Sequence, residues 1–164
     1  MIPQVYILEG ADGAGKTTTA ETLLAAYPDD KFIYVHNGIS DAYLPGSLFR
    51  HYRAQILEAI DWRERGVTTI IDRSFLSEAV YGHLYRGKSR ISDRQVRRLE
   101  RLAVKHDVVL LGLEAHPDVR RARLESRGEE WDGNQSWVAA FYAAHFRESD
   151  SWIIADSSSA AALN

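Results

Sequence analysis

The chain has 164 residues, enough for about one domain, and its 45% apolar and 26% charged content lets it bury a single core. It has no cysteine, which excludes a disulfide scaffold, a thiolate zinc site and a cysteine nucleophile; no run approaches the ~20 apolar residues of a membrane span, and the opening MIPQVYILEG has no signal-peptide pattern, so a cytoplasmic, membrane-free protein is expected. The net charge of −3 hides a basic segment, 86–127, with 12 Lys/Arg against 6 Asp/Glu, which suggests anionic ligands handled locally rather than a general nucleic-acid coat.

The first apolar run, Val5–Leu8, ends in Glu9-Gly10 and reads as a strand. A helix follows over Thr18–Tyr27, with Leu23, Leu24 and Tyr27 on one side and Pro28 as its stop. Lys31–Val35 is the second strand. Leu48, Tyr52, Ile56 and Ile60 repeat every four residues, which predicts a helix over Leu48–Arg65 ended by Gly66. Val67–Ile71 is the third strand, with a helix expected over 75–85. Ser92-Asp93-Arg94-Gln95 has the form of a capping box opening a helix that carries Val96, Leu99, Leu102 and Ala103. Val108–Leu113 is the fourth strand, helices are expected over 117–127 and 135–148, and Ser151–Ala155 closes the series. Five short branched runs alternating with helices predict an α/β three-layer sandwich in one domain, 1–164: a five-stranded parallel sheet flanked by helices.

Between the first strand and its helix, Gly10-Ala11-Asp12-Gly13-Ala14-Gly15-Lys16-Thr17 matches G-x-x-x-x-G-K-[ST] in the context that its chemistry needs. The glycines let backbone N–H groups curl around phosphate oxygens, and the helix N-terminus adds partial positive charge. Lys16 can reach the β- and γ-phosphates, and the Thr17 hydroxyl can ligate Mg²⁺. Gly10, Gly13, Ala14, Gly15, Lys16, Thr17 and Thr18 are therefore the candidate ATP-binding residues of a P-loop NTPase fold. No N-K-x-D guanine reader is present, and the chain is too short for a helicase core, which leaves small phosphoryl-transfer kinases.

Asp72 and Arg73 end the third strand at the sheet's ligand edge. There a carboxylate can hold Mg²⁺ through water and an arginine can clasp an acceptor or its phosphate; an ordinary ion pair is the plain alternative. Ser74 and Ser77 would cap the next helix. Arg120, Arg121, Arg123 and Arg127 cluster before Gly128, and Arg123 and Arg127 share a helical face. On a mobile lid over about 117–132 they would neutralise the transferring phosphoryl group; otherwise they are a solvated face. Arg94, Arg98, Arg101 and Lys105 form another stripe, read as solvated because no aromatic interleaves it. Phe49 and Arg53, one turn apart, could sandwich a nucleobase, or Phe49 could be core. The histidines lack ligand spacing, so no metal beyond Mg²⁺ is expected; His36 follows the second strand at the ligand edge.

These residues resemble the thymidylate kinase family. Ile7–Thr18 is similar to its first strand and P-loop, with an acidic residue, Asp12, inside the loop. Leu48–Arg53 is similar to the stretch whose aromatic and arginine hold the base. Asp72–Gly82 resembles its D-R-x-x-x-S-x-x-x-Y signature, and Arg123–Gly128 its R-x-x-x-R-G lid. Trp152–Ser157 is like its final strand, whose following loop lies against adenine. The chain departs in being shorter, in having His36-Asn37-Gly38-Ile39-Ser40 in place of R-E-P-G, and in having Gly13 where some members carry a catalytic arginine. In these features it looks more like compact, phage-encoded relatives, some proposed to phosphorylate unusual pyrimidines and some acting on 5-hydroxymethyluracil within DNA.

The resemblance implies an ATP-dependent phosphotransferase acting on a (deoxy)pyrimidine nucleoside monophosphate. Lys16, Asp72, Arg123 and Arg127 would be catalytic, Thr17 and Asp72 would hold Mg²⁺, and Arg127 would also bind ATP. Asp12, His36, Phe49, Arg53, Arg73, Ser77 and Tyr81 would bind the acceptor. The alternative is a hydroxyl acceptor, on a nucleoside or a modified base in DNA, with Asp12, Asp41 or Asp72 as general base. A third reading is a nucleotide-binding regulator without an acceptor. Related kinases are often dimers, which keeps a homodimer open.

Overall fold

The structure, a computed structural model, describes residues 2–26, 28, 30–38 and 46–158. Its elements in chain order are β1 (Val5–Glu9), α1 (Lys16–Ala26), β2 (Lys31–His36), α2 (Ser47–Glu64), β3 (Val67–Asp72) and α3 (Phe75–Arg86). There follow α4 (Asp93–Lys105), β4 (Val109–Glu114), α5 (Pro117–Ser126), α6 (Gln135–Glu148) and β5 (Ile153–Asp156). The sheet runs β2-β3-β1-β4-β5 with every pairing parallel. The expected α/β architecture is therefore the observed one.

Period-two alternation divides the core. Val5, Ile7, Ile71 and Leu110 face the larger cluster, built with α2, α3, α4 and α6. Leu8 and Ile70 face a smaller one closed by Ala20, Leu23 and Leu24 of α1 and by Phe32. Both faces of β3 are covered, so all six of its residues are buried. The four-residue repeat of α2 buries Leu48, Tyr52, Ile56 and Ile60, and Gly66 turns the chain at φ 82°. The capping box of α4 is present: Ser92 Oγ accepts from the Gln95 amide, and Gln95 Oε1 accepts from the Ser92 amide at 2.9 Å.

Three local expectations are corrected. Helix α1 starts at Lys16, because the turn that holds the P-loop is already its first turn; Tyr27, its expected end, lies outside the described residues. Strand β5 starts at Ile153 rather than Ser151, because Trp152 is committed to the core, where its indole packs on Phe146 and donates to buried Glu100 at 2.7 Å. Ser74 makes no side-chain cap on α3. Glu9, from the end of β1, takes that place.

Candidate active site

The carboxyl ends of β1 and β3 lie side by side, with Leu8 in register with Asp72. That register brings the loop after β1 and the Asp72-Arg73 pair to one edge of the sheet. Glu9 locks them together. Its Oε1 accepts the amides of Ser74, Leu76 and Ser77 at 2.9, 3.1 and 3.1 Å, and its Oε2 accepts the hydroxyls of Ser77 and Tyr142 at 2.6 and 3.1 Å. Burial raises the Glu9 carboxyl above its ordinary pKa, with these hydrogen bonds opposing the shift.

The P-loop closes against α5. A Cβ on Gly13, whose φ is 76°, would meet the Arg120 carbonyl oxygen at 2.7 Å, so only glycine fits that approach. Arg120 is buried and donates to the Asp12 carbonyl at 2.9 Å and to the Gln135 carbonyl and side chain at 3.1 and 3.0 Å, with Trp131 stacked on its guanidinium. Arg123 donates to the Gly13 carbonyl at 2.9 Å and to the Ser157 carbonyl at 2.8 Å, and Ser157 Oγ in turn donates to the Ala14 carbonyl. Lys16 Nζ donates to the carbonyls of Gly10 and Ala11 at 2.8 and 2.9 Å. Burial and then Arg73 push its pKa down to about 7.

In front of this loop lies a cleft of about 530 Å³. Asp12, Gly13, Gly15, Lys16, Thr17, Thr18, Asp72, Arg73, Arg123 and Arg127 all line it, so the structure assembles most of the residues expected to handle ATP. Asp72 is almost wholly buried: Oδ2 accepts from Tyr34 at 2.7 Å and sits 3.2 Å from His36 Nδ1, while Oδ1 has no hydrogen-bond partner among the described residues. An unpartnered carboxylate oxygen on Asp72, in a cleft that exposed Thr17 also lines, fits a hard divalent cation such as Mg²⁺. Among the described residues no group of three or more His, Asp or Glu is placed to hold a metal ion by itself.

A second cleft, of about 300 Å³, joins the first at His36 and Arg73, which line both. Arg73 has a left-handed backbone, φ 68°, held by its amide on the Leu8 carbonyl at 2.9 Å and by Asn37 Nδ2 on its own carbonyl at 2.7 Å. Its guanidinium pairs with Asp12 and lies over the Tyr81 ring, and Tyr81 donates to Asp12 at 2.9 Å. Burial alone would raise the Asp12 carboxyl, but Arg73 and Lys16 hold it below its ordinary value. Farther from the P-loop, the walls are Leu48, His51 and Tyr52 on one side and Glu78, Arg86 and Arg90 on the other.

Several expected residues are placed differently. Phe49 is partly buried on the core with Arg98 over its ring, and Arg53 is exposed; neither lines the cleft, so they form no base sandwich here. The neighbouring turn of α2, with His51 and Tyr52, faces the cleft instead. Ser77 lines the cleft, but its hydroxyl is engaged by Glu9 and Tyr142. Arg127 lines the cleft in front of the P-loop and pairs with Glu129 at 3.1 Å. Asp41, Ile39 and Ser40 lie outside the described residues. Sequence reasoning passed over Glu9, Tyr142, Glu78, Arg86 and Arg90. For Glu9 there was a signal, an acid at the end of an apolar strand just before the P-loop.

No family model matches the chain, and no curated protein matches it. Solved structures do. The YorR protein of Bacillus subtilis, in complex with phosphorylated GDP, aligns over 96% of this chain and 86% of its own with a TM-score of 0.74 and 22% identity. Thymidylate kinase from Ehrlichia chaffeensis aligns over 94% and 87% with a TM-score of 0.55 and 15% identity. Deoxyadenosine kinase from M. mycoides, with dCMP and dCDP bound, aligns over 93% and 90% with a TM-score of 0.51 and 13% identity. The chain has the fold of these P-loop nucleotide kinases.

Proposed function

We propose that the protein is an ATP-dependent phosphotransferase that moves the γ-phosphoryl group of ATP to a nucleotide acceptor, a deoxypyrimidine monophosphate. The observation that carries this reading is the meeting of two clefts at Arg73. A donor on the P-loop and an acceptor in the second cleft would present their phosphates to each other across that guanidinium. Among the solved structures of this fold, the thymidylate kinase supports a pyrimidine monophosphate acceptor, whereas the deoxyadenosine kinase is named for a nucleoside and the YorR protein carries a guanine nucleotide.

Lys16 would leave the Gly10 and Ala11 carbonyls for the β- and γ-phosphates, which return the ammonium to an anionic partner and offset its burial. Thr17 and Asp72 would hold Mg²⁺, which when bound spreads the negative charge of the phosphates. Arg73, already fixed by Asp12 and Tyr81, would clamp the acceptor phosphate with little loss of conformational freedom. Arg127 would add charge on the transferring group. Arg123 would tie the Gly13 carbonyl of the P-loop to the Ser157 carbonyl after β5, so its part is to shape the loop. A phosphate acceptor is itself an anionic nucleophile and needs no general base.

The second reading, an acceptor carried on DNA, is favoured by one feature. Arg94, Arg98 and Lys105 of α4 are exposed and make no ion pair with any described carboxylate, and Arg98 reaches across to Phe49 of α2. The test is ADP release from Mg·ATP with deoxynucleoside monophosphates, free deoxynucleosides or DNA containing hydroxymethyluracil. Stimulation by a monophosphate supports the first reading; stimulation by DNA alone, falling steeply with salt, replaces it with the second. ATP turnover that no acceptor changes would refute both.

A further inference from the structure

Arg73 stands at the junction of the two clefts in a backbone conformation that its residue type disfavours. An L side chain at positive φ persists only where the surroundings hold it, and Arg73 has φ 68°. On one side its amide is held by the Leu8 carbonyl at 2.9 Å. The hold on the other side comes from neither β1 nor β3.

Strand β2 ends at His36, in register with Asp72. The chain then carries the ladder one residue farther: the Asn37 amide donates to the Asp72 carbonyl at 3.0 Å, which sets the Asn37 side chain beside Arg73. Asn37 Nδ2 donates to the Arg73 carbonyl at 2.7 Å and to Gln55 Oε1 at 3.0 Å, and Asn37 Oδ1 accepts from Gln55 Nε2 at 3.1 Å. The two side chains form a reciprocal amide pair, and the remaining Nδ2 hydrogen goes to Arg73. A primary amide suits this place because it has two hydrogens and an acceptor oxygen, where a carboxylate has no hydrogen and a hydroxyl has one. Gln55 comes to the pair by helical phase: it follows Leu48 and Tyr52 by seven and three residues, on the face of α2 that meets the acceptor cleft. Gln55 itself lines neither of the two clefts.

We propose, on the reading of Arg73 as the acceptor clamp, that Asn37 and Gln55 are positioning residues whose amide pair holds the Arg73 backbone left-handed and so keeps its guanidinium at the junction of the clefts. When the pair is lost, the Arg73 backbone relaxes and the guanidinium leaves the place where Asp12 and Tyr81 hold it. Gln55 acts on the acceptor phosphate only through Asn37.

The experiment compares the wild type with Asn37→Leu and Gln55→Met, neutral changes that keep the size and remove the hydrogen bonds, with far-UV circular dichroism to confirm folding. Amide hydrogen exchange by NMR, without any nucleotide, reads the Arg73 backbone, with the buried strand residues Ile7 and Ile71 reporting global opening. Relative to those, exchange at Arg73 should rise roughly tenfold in Asn37→Leu and less in Gln55→Met, where Asn37 still reaches the Arg73 carbonyl. Calorimetry of thymidine and dTMP then reads the clamp. The gain in affinity from thymidine to dTMP should fall roughly tenfold in Asn37→Leu, about threefold in Gln55→Met, and no further when Asn37→Leu is added to Arg73→Ala. A rise in Arg73 exchange with no binding of dTMP by the wild type would refute the acceptor reading and leave the hold on Arg73 standing. An Arg73 amide as protected in Asn37→Leu as in the wild type would overturn the proposal. So would an unchanged gain from the phosphate in Asn37→Leu, or the same further loss in the Arg73→Ala background.

Discussion

Replacing Glu9 by alanine removes the acceptor for three amides in the first turn of α3. A buried donor left unmade costs about 1–3 kcal/mol, so three set a ceiling of about 9 kcal/mol. The real loss is smaller. Ser74 Oγ is buried without a partner and can turn to take one amide as an ordinary N-cap, and the Ser77 and Tyr142 hydroxyls, 2.7 Å apart, can satisfy each other. About 3–5 kcal/mol remains, which for a domain of this size lowers Tm by about 6–20 °C. Glu9→Gln keeps an oxygen for the amides and turns its NH₂ toward two hydroxyls that can accept, so it should cost only about 1 kcal/mol. Thermal unfolding of both variants by calorimetry checks the ordering. A Glu9→Ala variant within about 2 °C of wild type would refute the argument, and a Glu9→Gln variant as damaged as Glu9→Ala would show that charge matters rather than the acceptor network.

Arg73→Ala should lower kcat/KM for a monophosphate acceptor by roughly 10- to 150-fold, the value of a charged hydrogen bond of about 1.5–3 kcal/mol, while ATP turnover without acceptor persists; parallel steady-state assays separate the two. Arg53→Ala should leave the acceptor KM unchanged within about twofold, because Arg53 is exposed and away from the cleft, and a tenfold rise would restore the base sandwich. Stability should fall on acidification partly through Glu78. Burial alone would raise its pKa, but hydrogen bonds from Arg90 and Arg86 hold it below the ordinary 4.5. A depressed native pKa means that the unfolded chain binds protons first, so this stability is present above pH 4.5 and lost as pH falls through the native value. Urea midpoints between pH 5 and 3 should therefore fall less steeply in Glu78→Gln than in wild type.

The sequence made legible what depends on local pattern. The four-residue spacing of α2, the Ser92–Gln95 box and the strand–loop–helix setting of Gly10–Thr17 are each contained in a short window, and the structure follows them. The placing of Asp72 and Arg73 at the ligand edge was also legible, because a parallel strand's carboxyl end must lie there. What was not legible depends on pairings across the chain. Glu9 and Tyr142 are 133 positions apart, and Arg120 and Asp12 are 108 apart, so no window shows that one caps α3 and the other braces the P-loop. Helical phase explains the difference on α2: Phe49 turns toward Arg98 of α4 and Arg53 is exposed, while the adjacent face, with Leu48, His51 and Tyr52, lines the cleft.

In the proposed reaction, phosphate passes between two clefts joined at Arg73. Its most direct test follows label from γ-³²P-ATP with Mg²⁺ and a deoxypyrimidine monophosphate, separating the nucleotides by chromatography. Label is expected in the β-position of a deoxynucleoside diphosphate, absent with Lys16→Ala and strongly reduced with Arg73→Ala. Label released only as inorganic phosphate, or transfer that survives Lys16→Ala at the wild-type rate, would contradict it.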